Sequence, residues 1–175
     1  MALYKYLQKA WKNPDSAVWK DRLIKWRAES NATRIDHPTR LDRAHALGYK
    51  AKQGVFLVRV RLKRGSRRRE QVQGGRRSAA MSMRLDLGSS YQVVAEQRAV
   101  KAYPNCEVLN SYFAAKDGNH YWYEVILVDR THPSVLASKQ LRQVAQHKGR
   151  VFRGLTKAGK KSRGFRRKGF GTEQR

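Results

Sequence analysis

The sequence predicts an α/β fold of the α+β type, in which a small antiparallel sheet is covered by helices and carries long basic extensions. Within residues 54–63, apolar and cationic side chains alternate from Val58 to Lys63, which is typical of a half-buried strand. Residues 106–129 contain two apolar segments joined by a turn signal, which indicates a hairpin. Outside these segments, basic residues form two glycine-containing runs with too few apolar residues to build a core.

The net charge indicates the class of partner. The chain has 39 Lys and Arg residues against 13 Asp and Glu residues, a net charge of +26 over 175 residues. Like charges repel one another in a compact state, and a phosphate backbone relieves that repulsion. Nucleic-acid binding is therefore the favoured interpretation. An anionic membrane surface is the competing one, but it calls for a basic helix with a clean apolar face, which the most basic segments lack.

The remaining composition favours one intracellular domain with attachments. Cys106 is the single cysteine, so no internal disulfide is possible and a reducing compartment fits. No apolar run approaches the roughly 18 residues of a membrane span. The N-terminus also lacks the apolar core of a signal peptide. We expect a protein that is soluble or held by its partner.

Residues 1–47 are predicted to form a helical N-terminal arm. Apolar residues recur at helical spacing within 3–12, which predicts a first helix. Asn13-Pro14 ends that helix and starts a second one, with Asn13 as the N-cap and Pro14 at the first helical position.

The second helix of the arm carries an aromatic stripe. Trp19, Leu23 and Trp26 fall on one face, and we interpret the tryptophans as packing residues, with base stacking as the alternative. Residues 29–47 have weak periodicity and are predicted to be a loop followed by a short helix near 40–47.

Residues 48–133 are predicted to form the α/β core, which begins with the sequence GYKAKQG. Lys50 and Lys52 stand between glycines, which let a backbone approach a ligand closely and adopt positive φ. This segment is either a turn that lies against RNA or a plain loop.

The strand predicted at 54–63 separates its side chains by parity. One face is apolar and is expected in the core: Phe56, Val58, Val60 and Leu62. The opposite face is predicted to present a cationic row: Arg59, Arg61 and Lys63. A basic loop follows at 64–88, and we expect it to have little structure of its own until it is bound.

A helix and a hairpin complete the predicted core. Ser89 or Ser90 caps a helix that runs to Tyr103. Two strands, 106–115 and 120–129, flank Asp117-Gly118, a strong hairpin signal. A two-residue turn there pairs Phe113 with Trp122, Tyr112 with Tyr123, Leu109 with Ile126 and Val108 with Leu127. Because residues 125–128 are apolar on both parities, both faces of the sheet are expected to be covered.

Residues 134–175 are predicted to be a C-terminal segment with a basic, glycine-rich tail. A short helix is expected within 135–146. Residues 148–171 contain ten Lys and Arg residues, no acidic residue and few apolar ones, so we expect no core there and disorder without a partner. Three phenylalanines in this tail would need an external surface such as RNA bases: Phe152, Phe165 and Phe170.

The chain offers no convincing catalytic or metal-binding group. The sequence GLTKAGKKS at 154–162 approaches a phosphate-binding P-loop, but Lys161 stands where the hydroxyl that binds Mg²⁺ should be. One cysteine and five dispersed histidines do not supply a zinc site. Cys106 and His120 could be a nucleophile and its base, but a small buried apolar role for Cys106 is favoured.

Three segments, in this order and at about this spacing, resemble the archaeal and eukaryotic large-subunit ribosomal protein family L-fifteen-e. They are GYKAKQG leading into VRVRLKRG, then VLNSYFAAKDGNHYWYEVILVD, then RVFRGLTKAGKKSRG. The resemblance covers nearly the whole chain. The compact length and the His132-Pro133 that follows the hairpin indicate the archaeal type.

The resemblance implies a small α/β domain whose extensions thread into RNA, and no enzymatic role. The implied partners are large-subunit ribosomal RNA and neighbouring large-subunit ribosomal proteins, with no membrane and no small-molecule substrate. No cofactor is expected, and Mg²⁺ only as it accompanies ribosomal RNA. The implied location is cytoplasmic and ribosome-bound.

By position, the resemblance also implies a set of RNA contacts. They are Lys50, Lys52, Arg59, Arg61, Lys63, Arg64, Arg67, Arg68, Arg69, Arg76, Arg77, Arg150, Arg153, Lys157, Lys160, Lys161, Arg163, Arg166, Arg167 and Lys168. Two departures from the family pattern concern the extensions. Residues 70–83 are less basic and lack the prolines of that loop, and the tail stops soon after Gly171.

The function expected from the sequence is that of a structural constituent of the large ribosomal subunit, which binds and stabilises folded ribosomal RNA. The alternative is a free RNA chaperone or general nucleic-acid-binding protein, which would share the charge but bind many polyanions alike. An RNA-processing enzyme would need poised acid or base groups in a pocket.

Overall fold

The computed structural model describes residues 2–65, 67–68, 84–85 and 88–165. Its centre is a four-stranded antiparallel sheet in the order β1-β2-β6-β5. These strands are β1 (Ala32–Ile35), β2 (Val55–Lys63), β5 (Cys106–Lys116) and β6 (His120–Asp129). Two short strands, β3 (Arg67–Arg68) and β4 (Arg84–Leu85), pair with each other as a separate ladder within the predicted basic loop.

Seven helices surround the sheet in the described part of the chain. They are α1 (Ala2–Lys12), α2 (Ser16–Ala28), α3 (Leu41–Ala46), α4 (Tyr91–Ala102), α5 (Pro133–Leu136), α6 (Lys139–Gln146) and α7 (Lys157–Ser162). The predicted α+β class, with helices over an antiparallel sheet, is confirmed.

The sheet is buried on both faces, as the apolar run in β6 predicts. Val125–Val128 is inaccessible to solvent on both parities. On one face, α4 packs Ala95 and Ala99 against the core-facing residues of β2, which include Val58 and Val60. The opposite face packs against residues of three other helices: Ala44 of α3, Val135 of α5, and Leu141 and Ala145 of α6.

The N-terminal arm contains a strand that the sequence did not predict. β1 lies in the segment expected to be a loop, and it pairs with β2, with Thr33 opposite Arg59. Four residues with no strong alternation carry little strand signal, so the partner strand defines β1. The N-cap of α2 is also different from the prediction. Asp15 rather than Asn13 caps the helix, because its carboxylate accepts a hydrogen bond from the Ala17 amide at 2.9 Å.

The hairpin has the predicted strands but a different register. The turn closes between Asp117 and His120, so Gly118 and Asn119 are its central residues rather than Asp117 and Gly118. Two irregularities in β5 then shift the pairing back toward the predicted one. The observed partners are Val108 with Leu127, Asn110 with Ile126, Tyr112 with Glu124, Phe113 with Tyr123, and Ala115 with Trp122. Only the pair of Val108 and Leu127 agrees with the prediction.

The C-terminal segment folds onto the core as far as residue 165, which the sequence did not predict. Instead of one helix within 135–146 there are two, α5 and α6, and α7 follows them. Val151 belongs to the main core cluster, and Thr156 and Ala158 are also buried. A Cβ on Gly159 would lie 2.8 Å from the Gly154 backbone, so this close approach requires glycine. Phe152 is 53% exposed, Phe165 is half-buried, and Phe170 lies outside the described residues.

Candidate nucleic-acid interface

Twelve of the twenty predicted RNA contacts have a described side chain, and these twelve fall into two groups by exposure. Nine are exposed: Lys50, Lys52, Lys63, Arg64, Arg153, Lys157, Lys160, Lys161 and Arg163. Three are half-buried: Arg59, Arg61 and Arg150. For Arg67 and Arg68 only the backbone is described. The remaining predicted contacts lie outside the described residues: Arg69, Arg76, Arg77, Arg166, Arg167 and Lys168.

Arg59 and Arg61, the β2 arginine pair, do not form the open cationic row that the parity of β2 predicts. The Arg59 guanidinium donates three hydrogen bonds to the Glu29 carboxylate, from Nε at 3.1 Å and from Nη2 at 2.7 and 3.0 Å. It also lies 4.2 Å from the centre of the Trp26 ring, and its side chain is only 10% exposed. Arg61 donates to the Asn31 side chain at 3.1 Å and to the Arg27 carbonyl.

The β2 arginine pair therefore joins β2 to neighbouring segments of the N-terminal arm in this structure. Its partners belong to the end of α2 and the residues before β1, which cover this face of β2. The alternating pattern identified the correct face of the strand but not what lies over it. Glu29 was the available signal in the sequence that a β2 arginine is paired within the protein, because acidic residues are scarce in this chain.

Residues 148–165, the C-terminal basic segment, are anchored by two buried carboxylates. Glu107, 2% exposed, accepts hydrogen bonds from the backbone amides of Gly149 at 2.7 Å and Arg150 at 3.4 Å. Glu96, which is fully buried, accepts one from the Thr156 hydroxyl at 2.6 Å. Thr156 in turn caps α7 by accepting from the Gly159 amide at 3.1 Å.

These carboxylates bind backbone amides and the hydroxyls of Ser111 and Thr156, and they leave the neighbouring lysines exposed. Burial is the main cause that raises the pKa of Glu96, while hydrogen bonds from Ser111 and Thr156 oppose it. Sequence reasoning missed both anchors, because each joins residues 42 or 60 positions apart in the chain.

The C-terminal basic segment and the edge strand β5 enclose a cleft of about 620 Å³. Arg150, Lys157, Lys160 and Lys161 supply its cationic wall, and Leu109 and Leu155 supply apolar surface. The Arg150 side chain is fixed by donating to the Val108 carbonyl at 2.7 Å. Four cations that are spread over twelve positions of the sequence thus line one cleft in the structure.

A second exposed basic site lies where β2 leaves the sheet. Arg64 donates to the Asp117 carbonyl of the hairpin turn at 2.7 Å, and its guanidinium lies 4.9 Å from the centre of the Tyr121 ring. Gly65 exchanges backbone hydrogen bonds with the Tyr91 hydroxyl. These contacts fix the start of the basic loop next to exposed Lys63.

The tryptophans and Cys106 have structural roles. Trp11, Trp19, Trp26 and Trp122 form a continuous chain of ring contacts with centroid distances of 5.2 to 6.0 Å. This confirms packing for Trp19 and Trp26. Cys106 is buried, and its burial, helped by Asp129, raises the pKa of the thiol to about 11, so it is a thiol at neutral pH and not a nucleophile.

Other chemistry finds no support in the part of the chain that the structure describes. No group of three or more His, Cys, Asp or Glu side chains there could hold a metal ion. Residues 154–162, which approach a P-loop motif, form a turn and the short helix α7, and β-strand structure does not precede them. Within the same described ranges, no helix is long and apolar enough to cross a membrane.

Comparison with known proteins decides the family. The family described as Ribosomal L15 matches residues 2–175. The chain belongs to the ribosomal L15e family. The predicted resemblance is thereby confirmed, and family membership makes the chain a structural ribosomal protein rather than an enzyme.

Three curated relatives are archaeal, and each is named large ribosomal subunit protein eL15. The protein of Methanocella arvoryzae is 51% identical over 178 residues, which cover 98% of this chain and 91% of the relative. The protein of Methanospirillum hungatei is 49% identical, with 99% and 92% covered. The protein of Methanocorpusculum labreanum is also 49% identical, with 99% and 92% covered.

Proposed function

We propose that this chain is a constituent of the large ribosomal subunit, where it binds and stabilises folded ribosomal RNA. The observation that carries the proposal is the anchoring of the C-terminal basic segment, whose cations are exposed although their backbone is tied to buried Glu107 and Glu96. Cations on an ordered backbone lose little conformational entropy when they meet phosphates. The net charge of +26 supports the same proposal.

The proposed phosphate contacts are the nine predicted RNA contacts whose side chains are exposed. Arginine pairs bidentately with phosphate, whereas lysine acts as a point charge, so both suit RNA whose backbones lie close together. Recognition would be of folded RNA shape more than of a linear sequence. Arg59 and Arg61 take a different proposed role, which is to position α2 and β1. The predicted contacts outside the described residues stay predictions.

The partners follow from the same proposal. They are large-subunit ribosomal RNA and neighbouring large-subunit ribosomal proteins, and no small-molecule substrate is required. The relatives' names support the large subunit as the particle in which the chain resides.

Sedimentation of a cell extract tests the assignment. We expect the chain to sediment with the large ribosomal subunit at low salt and again at about 0.5 M salt, because contacts distributed over a folded RNA resist moderate screening. A chain that leaves the particle early, or that runs with free RNA or DNA, would favour the chaperone alternative.

A pair of charge-matched variants tests the proposed contacts. Replacement of Lys157, Lys160 and Lys161 by Ala should reduce the slope of log affinity against log salt by about 2 to 3 units, measured with a large-subunit ribosomal RNA transcript. The control replaces Lys12, Lys20 and Lys25, three exposed lysines of the N-terminal arm. An equal loss in both variants would indicate general polyanion binding rather than a defined interface.

A further inference from the structure

The cleft between β5 and the C-terminal basic segment has a shape and chemistry that phosphate binding alone does not require. Its volume of about 620 Å³ is that of a pocket for one small ligand or one exposed group of a larger one. Leu109 and Leu155, both half-buried, give it apolar surface beneath a cationic wall. A site that only neutralised phosphates would need neither a concave shape nor leucines.

An irregularity in β5 builds the inner wall of this cleft. Val108 pairs with Leu127 and Asn110 with Ile126, so Leu109 is one extra residue in the edge strand. Successive residues of a regular strand point to opposite faces, yet Leu109 and Asn110 both line the same cleft. A bulge at a sheet edge reorients side chains in this way and is a recurrent feature beside binding sites.

Asn110 lines the cleft and carries a side-chain hydrogen-bond donor group. Its Oδ1 accepts from the Ser111 amide at 3.0 Å, which fixes the orientation of the side-chain amide. The Nδ2 group therefore has both of its N–H donors left, and no residue in the described ranges accepts from it. Such a donor suits an acceptor on the edge of a planar polar ring.

The cations of the cleft are placed for a phosphate. Lys157, Lys160 and Lys161 are exposed, whereas Arg150 is held by the Val108 carbonyl and by neighbouring Glu107. Apolar surface, an oriented amide donor and a cationic wall are together the features that bind an unstacked nucleotide, whose base packs on side chains and whose phosphate meets lysines.

We infer that the cleft takes up a single unstacked nucleotide of the bound RNA. The base would pack between Leu109 and Leu155, Asn110 would donate to an acceptor on its edge, and the lysines would hold the flanking phosphates. This inference rests on the proposed function, because it names the part of the RNA that this one site receives. It adds a recognition element to an interface otherwise described by charge.

Two RNA hairpins of equal length test the inference with the full chain. One is fully paired, and the other carries one bulged nucleotide, prepared in four versions with A, C, G or U at the bulge. We expect the bulged hairpin that fits best to bind about tenfold more tightly than the paired one, since the paired hairpin offers no unstacked base for the cleft. A bulged 2-aminopurine should also change its fluorescence on binding.

Three variants locate the effect. Asn110→Asp keeps the oxygen that accepts from the Ser111 amide but removes the Nδ2 donors, and Leu155→Ala removes apolar surface; each should abolish the preference for the bulged hairpin. Lys52→Ala, which removes an exposed cation away from the cleft, should weaken both hairpins equally. Thermal unfolding should show that all three variants are folded, and a variant that is not folded is replaced by Leu109→Ala.

The outcomes separate this inference from the proposed function. If neither hairpin binds at low salt, the proposed function fails. If both hairpins bind equally tightly to the unmodified chain, the nucleotide cleft is wrong and the proposed function stands. A preference for the bulge that survives both Asn110→Asp and Leu155→Ala also overturns the cleft.

Discussion

The β2 arginine pair and the C-terminal basic segment look alike in the sequence but differ in what their acidic partners bind. At β2, the Glu29 carboxylate accepts directly from the Arg59 guanidinium, which removes that cation from the surface. In the C-terminal segment, Glu107 accepts from the backbone amides of Gly149 and Arg150, which orders the chain and leaves the lysines exposed. The Glu29 carboxylate therefore pairs with a cationic side chain, whereas the Glu107 carboxylate pairs with the backbone and leaves the cationic side chains unpaired with it.

The difference teaches how a very basic chain can have both a folded core and a free cationic surface. The chain has only 13 acidic residues, so most cations cannot be paired within the protein. Each buried carboxylate must be compensated by hydrogen bonds or a charge. Backbone amides and hydroxyls provide that compensation without using a lysine or an arginine.

The largest expected effect comes from Glu124, which lies opposite Arg59 in the pairing of β2 with β6. This fully buried carboxylate accepts from the Thr39 amide at 3.1 Å, from the Thr39 hydroxyl and from the Tyr112 hydroxyl, and lies 3.8 Å from the Arg59 guanidinium. Glu124→Ala leaves the Thr39 and Tyr112 donors and the Arg59 guanidinium without this carboxylate partner. It should lower the free energy of unfolding by about 3 to 5 kcal/mol, measured by chemical denaturation.

Tyr112→Phe is the matched control for Glu124→Ala. It removes one donor and keeps the ring, so it should lower the free energy of unfolding by only about 1 kcal/mol. A loss below about 1 kcal/mol for Glu124→Ala would show that the network does not hold the segment around Thr39 against the sheet.

The next effect separates anchoring from net charge. Glu107→Ala leaves the amides of Gly149 and Arg150 without their acceptor and should lower the free energy of unfolding by about 2 to 3 kcal/mol. It also raises the net charge of the chain by one, so simple polyanion attraction predicts tighter RNA binding. We expect weaker binding to a large-subunit ribosomal RNA transcript, because the cations lose their fixed backbone. Binding that becomes tighter in a filter assay would contradict the anchoring role.

Local patterns in the sequence predict the elements whose signal lies within one segment. The alternation of β2, the two hairpin strands and the Ser90 cap of α4 all follow from residues close together in the chain. The family resemblance adds the assignment to a ribosomal protein. Neither source predicts β1, which depends on pairing with a distant strand.

The candidate site is less predictable because its geometry depends on long-range contacts. The cleft needs the extra residue in β5, and no local pattern marks Leu109 as extra. It also needs Glu107 and Glu96 to reach residues far along the chain. In the same way, the sequence shows that Arg59 leaves the core face but not that Glu29 and Trp26 lie over it.

A direct comparison of one cation from each region gives a smaller effect on stability. Arg59→Ala should lower the free energy of unfolding by about 1 to 2 kcal/mol through the lost ion pair and ring contact, and should leave the salt slope of RNA binding unchanged. Lys160→Ala should change the free energy of unfolding by less than about 0.5 kcal/mol and reduce the salt slope by about one unit. The comparison between the two regions is wrong if Arg59→Ala reduces the salt slope as much as Lys160→Ala does.

The smallest expected effect is a dependence of stability on pH at the second anchor, Glu96. Burial raises the pKa of Glu96 in the folded state above its ordinary value, so the folded protein binds the proton more tightly than the unfolded chain. The contribution of Glu96 to stability therefore increases as pH falls through the folded pKa toward the unfolded one, and is lost as pH rises. The Gln side chain of Glu96→Gln cannot titrate. The free energy of unfolding of the unmodified chain relative to this variant should therefore increase as the pH is lowered from 7 to about 4. Parallel curves of unfolding free energy against pH for the two proteins would mean that hydrogen bonds compensate the charged form of Glu96 fully, and would contradict a raised pKa for this carboxyl.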